Sequence, residues 1–173
     1  MNLKKQTSII ALALITTLTM TIFIVSGQNT QGKQPSAWSN SRERAITGVW
    51  RTMVTPRNCQ TGVPLVPPFR GLFTFNEGGT MSEYGIGPGA SPALRSPGHG
   101  LWQREHGWQD YSFVFTFYRY NAAGIFVGSQ KVTASLELAE NGDEFTSSSE
   151  IETFDANDNL ISTACATAAG TRL

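Results

Sequence analysis

His99 and His106 are the natural starting point for chemistry, because Glu105 and Asp110 lie close to them in the chain. The pair could supply two metal ligands, but there is no third histidine and there are only two cysteines, so no zinc ligand set is complete. No Gly-x-Ser-x-Gly elbow presents a serine to either imidazole, which argues against a Ser-His-acid triad. His99 stands between two glycines after Pro97 and is expected to be a loop residue whose imidazole caps backbone groups. Glu150 and Glu152 form a carboxylate pair, but their strand parity points them at solvent as solubility charges. No catalytic residue, metal site or cofactor is expected. The polar groups expected near a binding-site mouth are Glu83, Arg95, Arg104 and Arg119. Arg119 could meet an anionic group or snorkel to the rim. Cys59 and Cys165 can pair in an oxidising compartment, with two free thiols as the alternative.

The elements that must hold these residues follow from composition and pattern. At 40% apolar and 15% charged residues, the chain is too hydrophobic to stay unfolded. Thirteen basic residues balance thirteen acidic ones, so nothing in the charge suggests nucleic acid or an anionic membrane surface as a partner. Lys4 and Lys5 precede an apolar run from Ile9 to Val25 that ends at Ser26 and Gly27, the layout of a signal peptide over residues 1–27. The run is also close to the shortest membrane span, so an uncleaved anchor is the alternative and the one expected route to membrane contact. No Cys directly follows the run, so a lipoprotein anchor is not expected. Residues 28–44 are rich in Gln, Asn, Ser and Gly and read as a disordered spacer. The protein is therefore expected to be exported, to a periplasm or beyond, with one domain over residues 45–173.

That domain reads as all-β. Period-two segments run from Ile46 to Thr55, Phe69 to Phe75, Thr80 to Gly85, Gly100 to His106, Tyr111 to Tyr120, Ile125 to Leu138, Glu144 to Phe154 and Leu160 to Arg172. Asn76-Glu-Gly-Gly79, Asn121-Ala-Ala-Gly124, Glu140-Asn-Gly-Asp143 and Asp155-Ala-Asn-Asp-Asn159 between them carry hairpin chemistry. Eight hairpin-linked strands make a meander, and closing it into an antiparallel up-and-down β-barrel removes both exposed edges. Two connections are long: Pro56 to Pro68, with four prolines and Cys59, and Ile86 to Gly98, with Gly87-Pro-Gly, Ser91-Pro and Ser96-Pro. Loops of this length are either lids or rigid surface crossings.

Gly48-Val-Trp50 opens the first strand and Thr171-Arg172 closes the last. This pairing resembles the calycin barrels, the group of lipocalins, fatty-acid-binding proteins and avidins. The resemblance implies that Trp50 plugs one end of the barrel and that Arg172 packs over its indole. It is to the wider group, since the lipocalins' Thr-Asp-Tyr loop motif and C-terminal helix have no counterpart here. Asn58-Cys-Gln-Thr-Gly62 and Arg95-Ser-Pro-Gly-His-Gly100 are similar to stretches of uncharacterised exported bacterial proteins, which implies export and no particular activity.

Strand parity sorts the lumen from the exterior. Tyr111, Phe113, Phe115 and Phe117 share one face with Arg119, and Phe73 and Phe75 add to the aromatic wall from the second strand. Phe126 is placed inward with Val132, Ala134, Leu136 and Leu138. Opposite stand small residues: Ser147 and Ser149 on strand seven, Ala164 and Ala166 on strand eight. Large against small can mean an interlocked, filled interior or a cavity. Cys165 has the outward parity, and first and last strands adjoin in a closed barrel, so it can reach Cys59. The leading expectation is a non-catalytic barrel binding a small, largely apolar molecule on Phe73, Phe75, Tyr111, Phe113, Phe115, Phe117, Arg119, Ser147, Ser149, Ala164 and Ala166. One alternative is an isomerase of the barrel type that allene oxide cyclases exemplify, and charged groups converging in a cavity would favour it. The other is a filled structural or protein-interaction module.

Overall fold

The computed structural model describes residues 45–173; the signal-peptide and spacer assignments lie outside the described residues. Eight strands follow in order: β1 (Gly48–Arg57), β2 (Phe69–Phe75), β3 (Thr80–Gly85), β4 (Gly98–Arg104), β5 (Asp110–Tyr120), β6 (Phe126–Leu138), β7 (Glu144–Phe154) and β8 (Leu160–Arg172). Each pairs antiparallel with the next, and β1 pairs with β8, so the sheet closes into an up-and-down barrel. Closure runs from Trp50 opposite Arg172 to Arg57 opposite Cys165. Every strand has a hydrogen-bonded neighbour on both sides, so the sheet has no edge strand, the liability that an open eight-strand meander would carry.

The hairpin residues adopt the conformations their types favour. Gly78, Gly79, Gly124, Gly142 and Asp158 have positive φ. Asn121 Oδ1 accepts from the Ala123 and Ile125 amides, and Asp155 Oδ1 from those of Asn157 and Asn159. The Asn159 side-chain amide, donating to Asp155 Oδ2 at 3.0 Å, and these backbone hydrogen bonds hold the Asp155 carboxyl below its ordinary range.

Six strand boundaries differ from the sequence reading by one or two residues: both ends of β1 and of β4, and the starts of β5 and β6. β1 continues through Pro56 to Arg57, because its pairing with β2 stops at Val54 opposite Phe69. Beyond that point β8 is the only strand paired with β1; on the other side the 58–68 loop makes a single bridge, Arg57 to Pro64, and the Leu65 amide donates to the Pro56 carbonyl, so no β2 ladder needs the N–H that Pro56 lacks. β4 starts at Gly98, so His99 is a strand residue with an exposed side chain, not a loop cap. The 86–97 connection holds a short 3₁₀ turn over Pro92–Leu94, capped by the Ser91 hydroxyl accepting from the Ala93 amide.

Phe126 is a correction of a different kind. The β5–β6 register shifts between Arg119 and Tyr120: Arg119 faces Gly128, while Tyr120 faces Phe126. Val127 is the extra residue of this bulge, which reverses the parity of what precedes it. Phe126 therefore lies on the outside, edge-on to Tyr118 and Tyr120 at 5.7 and 6.2 Å between ring centroids. Only glycine suits position 128, where φ is +132° and an added Cβ would sit 2.0 Å from the Phe154 carbonyl oxygen.

In a meander, successive connections alternate between the barrel's two ends. The short turns at 76–79 and 139–143 share one end with Trp50, and both long loops, 58–68 and 86–97, share the other. At the first end Ile46, Trp50, Phe75, Met81, Leu138 and Phe145 are fully buried. Trp50 Nε1 donates to the Ile46 carbonyl at 2.8 Å, and its ring meets Phe145 at 5.1 Å. This closed end is solid core. The candidate site lies toward the other.

Candidate functional site

The closed end is finished by Arg172. Its guanidinium carbon lies 4.2 Å from the Trp50 ring centroid, and its nitrogens donate to the carbonyls of Ala45, Thr47 and Gly142 at 2.6–2.7 Å. Gly48 makes room for this cap, since its φ is +132° and an added Cβ would stand 2.9 Å from Arg172 Nη1. Both features of the Gly-x-Trp stretch thus have a physical cause: the indole is the plug, and the glycine admits the arginine that covers it.

Toward the long-loop end the interior is not filled. A cavity of about 100 Å³ lies between the aromatic stripe of Phe73, Phe113, Phe115 and Phe117 and a wall of Ser147, Ser149, Ala166 and Ala168. The rings pack among themselves, Phe113 on Phe115 at 6.1 Å and Phe115 on Phe117 at 6.4 Å, so the wall they present is continuous. Ser149 donates to the Ala166 carbonyl at 3.2 Å. Gln130, also at the cavity, gives its amide N–H to Thr153 Oγ1 at 2.9 Å. Ser147 is 7% exposed and lines the cavity, and its hydroxyl has no hydrogen-bond partner among the described residues. Thr52 Oγ1 is the one enclosed side-chain atom among the described residues that has no partner.

One ion pair enters this apolar space. Arg95, from the 86–97 loop, reaches in to Glu83 on β3, with Nη2 at 2.5 Å from Oε2 and Nη1 at 3.3 Å from Oε1. It also donates to the Gly85 and Ser96 carbonyls and lies 3.6 Å from the centre of the Phe117 ring. Glu83 is 5% exposed and Arg95 14%. Burial pushes the Glu83 carboxyl above its ordinary value, outweighing the opposing pull of the Arg95 charge and hydrogen bonds. Two glycines surround the pair: an added Cβ would approach Glu83 Oε1 to 3.1 Å at Gly85 and Oε2 to 2.7 Å at Gly98.

The residues named from sequence divide accordingly. Phe73, Phe113, Phe115, Phe117, Ser147, Ser149 and Ala166 line the cavity. Phe75 and Tyr111 are buried in the solid end, and the Tyr111 hydroxyl donates to the Trp108 carbonyl at 3.0 Å. Ala164 is half-buried on β8 and is not among the cavity-lining residues, and Arg119 is half-buried opposite the β6 bulge. Arg95, not Arg119, is the cation that meets an acid, and the acid belongs to the protein. Arg95 carried no parity signal because it lies in a loop. Glu83 did: it alternates with the buried Met81 and Gly85, so its strand places a carboxylate inside.

The remaining candidates lie elsewhere. His106 is exposed beside Glu105, whose carboxylate accepts from Ser112 and Gln103 and is held below its ordinary range by them. Among the described residues no group of three potential metal ligands occurs. Glu150 is exposed, and Glu152 pairs with Lys131 at 2.9 Å on the outer face. Cys59 and Cys165 form a disulfide with 5.2 Å between Cα atoms, tying the 58–68 loop to the outside of β8. No protein-family model matches the chain, and comparison with curated proteins finds no relative.

Proposed function

We propose that the protein is an exported, calycin-like β-barrel whose lumen binds a small, largely apolar molecule without transforming it. The observation that carries this reading is the cavity itself, a largely apolar space lined by five phenylalanines, Phe69, Phe73, Phe113, Phe115 and Phe117, and by small side chains inside the barrel. Its volume of about 100 Å³ is below the range of pockets for drug-sized ligands, roughly 300 Å³ and up, and near that of sites that accept a single ring. The disulfide supports export, because such bonds persist outside the reducing cytosol. Nucleic acid is no partner on this reading, and the membrane is met only through the N-terminal segment if it is kept. The test is titration with benzene while the amide and ring signals of Phe113, Phe115 and Phe117 are followed by NMR. A saturable one-to-one response is expected, and native mass spectrometry of protein taken from its own compartment should show a bound compound of matching size. Absence of any saturable response to benzene would remove the reading.

A second reading is favoured by the Glu83–Arg95 pair, since charged groups in such a cavity suit an isomerase. Glu83 would take a proton from one carbon of the substrate and return it to another, a shift that balances without a cofactor. We place it second because Arg95 donates to both Glu83 oxygens, which leaves the carboxylate engaged. Turnover of a bound compound that stops in Glu83→Gln while binding persists would reverse this order.

A further inference from the structure

The polar groups around the lumen specify more than apolarity. Glu83 and Arg95 neutralise each other, so the cavity has no net charge to offer a ligand. A carboxylate entering it would have to take Arg95 from Glu83, leaving an acid that is 5% exposed without its counter-charge. Burying an unpaired charge costs far more than an apolar contact returns. An ammonium group faces the mirror-image difficulty. What remains unsatisfied is the Ser147 hydroxyl, 93% buried and facing the cavity without a partner among the described residues. Gln130 adds a carbonyl on the neighbouring strand, since its amide N–H is committed to Thr153.

From this we infer that the lumen selects a neutral, single-ring or similarly compact molecule carrying one hydroxyl, and excludes carboxylates of the same size. The inference rests on the binding reading above and assigns its ligand class. The hydroxyl engages Ser147 on β7, and the ring lies against Phe73, Phe113 and Phe115 across the cavity. Glu83 acts as a built-in occupant of Arg95, turning away anions that an unguarded arginine would attract.

The experiment compares benzene, phenol and benzoate as probes, by NMR titration of the wild type, Ser147→Ala and Glu83→Gln. Phenol should bind the wild type roughly three- to tenfold more tightly than benzene, the worth of one net hydrogen bond. Ser147→Ala should remove that preference, so that phenol binds the variant no more tightly than benzene does. Benzoate should bind the wild type at least about a hundredfold more weakly than phenol. Glu83→Gln should admit benzoate, because the ligand's carboxylate then replaces the one removed. Thermal melts of both variants check that each is folded, and benzene binding reports an intact cavity. If benzene binds and phenol gains nothing from Ser147, or benzoate binds the wild type as well as phenol does, the ligand class is wrong although the lumen is a site. If no probe binds, the binding reading and this inference fall together.

Discussion

Two arginines lie on aromatic rings at opposite ends of the barrel, and their different partners give the ends different roles. Arg172 covers Trp50 and spends its donors on backbone carbonyls. Arg95 covers Phe117 and divides them between Glu83 and the Gly85 and Ser96 carbonyls. The first is a structural cap. The second holds a loop across the mouth of the cavity by an ion pair that depends on protonation. Arg95→Ala should destabilise the fold by about 3 kcal/mol at pH 8, because a buried carboxylate is left unpaired. Lowering the pH to 5 should shrink that loss as Glu83 takes up a proton, and urea unfolding at the two pH values would show it. The intact protein should show a related slope. Its Glu83 carboxyl titrates above the ordinary 4.5, so the folded state keeps a proton that the unfolded chain has released. Stability contributed by Glu83 is therefore complete below pH 4.5 and declines as pH rises through the elevated value. Asp155 and Glu105 shift the opposite way, so subtracting the Glu83→Gln profile isolates the Glu83 slope.

Among the elements, β1 and β8 carry the closure, and each end of their seam has its own fastening. Trp50 and Arg172 hold one end, while Cys59 and Cys165 tie the other. Trp50→Ala should cost about 3–5 kcal/mol, the range for a large buried aromatic. Arg172→Ala should cost less, and the double variant should fall short of the sum because each single change already breaks the stack. Additive losses in denaturant unfolding would separate the two residues. The disulfide closes a long loop, with a sequence separation of 106. Reducing it should lower the Tm, with roughly 4–5 kcal/mol as the upper limit from chain entropy. Thiol labelling of the unfolded, unreduced protein should find no reactive cysteine. Most strands were legible in sequence because residues facing a closed lumen must alternate, and β5 and β7 display that alternation without interruption. Phe126 was misplaced because a bulge counts as one residue in sequence but reverses every face before it.

At the scale of the whole molecule, the barrel is two unlike halves on one sheet: a solid aromatic end and a hollow end beneath the proline-rich loops. The walls of the hollow end could be read from sequence, since Phe113 to Phe117 and Ser147, Ser149 and Ala166 follow simple parity. Whether large and small side chains interlock or stand apart could not, because that depends on the barrel's width and stagger and not on any residue type. The Glu83–Arg95 contact was hidden for another reason: it joins a strand residue to a loop residue, and no periodicity governs the loop. The central claim is that the lumen is hollow enough to be a site, and Ala166→Phe tests it most directly. Ala166 is 4% exposed and lines the cavity, so a ring placed there enters the space a ligand would use. The variant's unfolding free energy and its benzene binding should be measured beside the wild type's. A hollow lumen predicts that benzene binding is lost while stability falls by less than about 1 kcal/mol. A loss of about 1–3 kcal/mol from overpacking, in a protein whose wild type binds no benzene, would contradict the account and make the barrel a solid one.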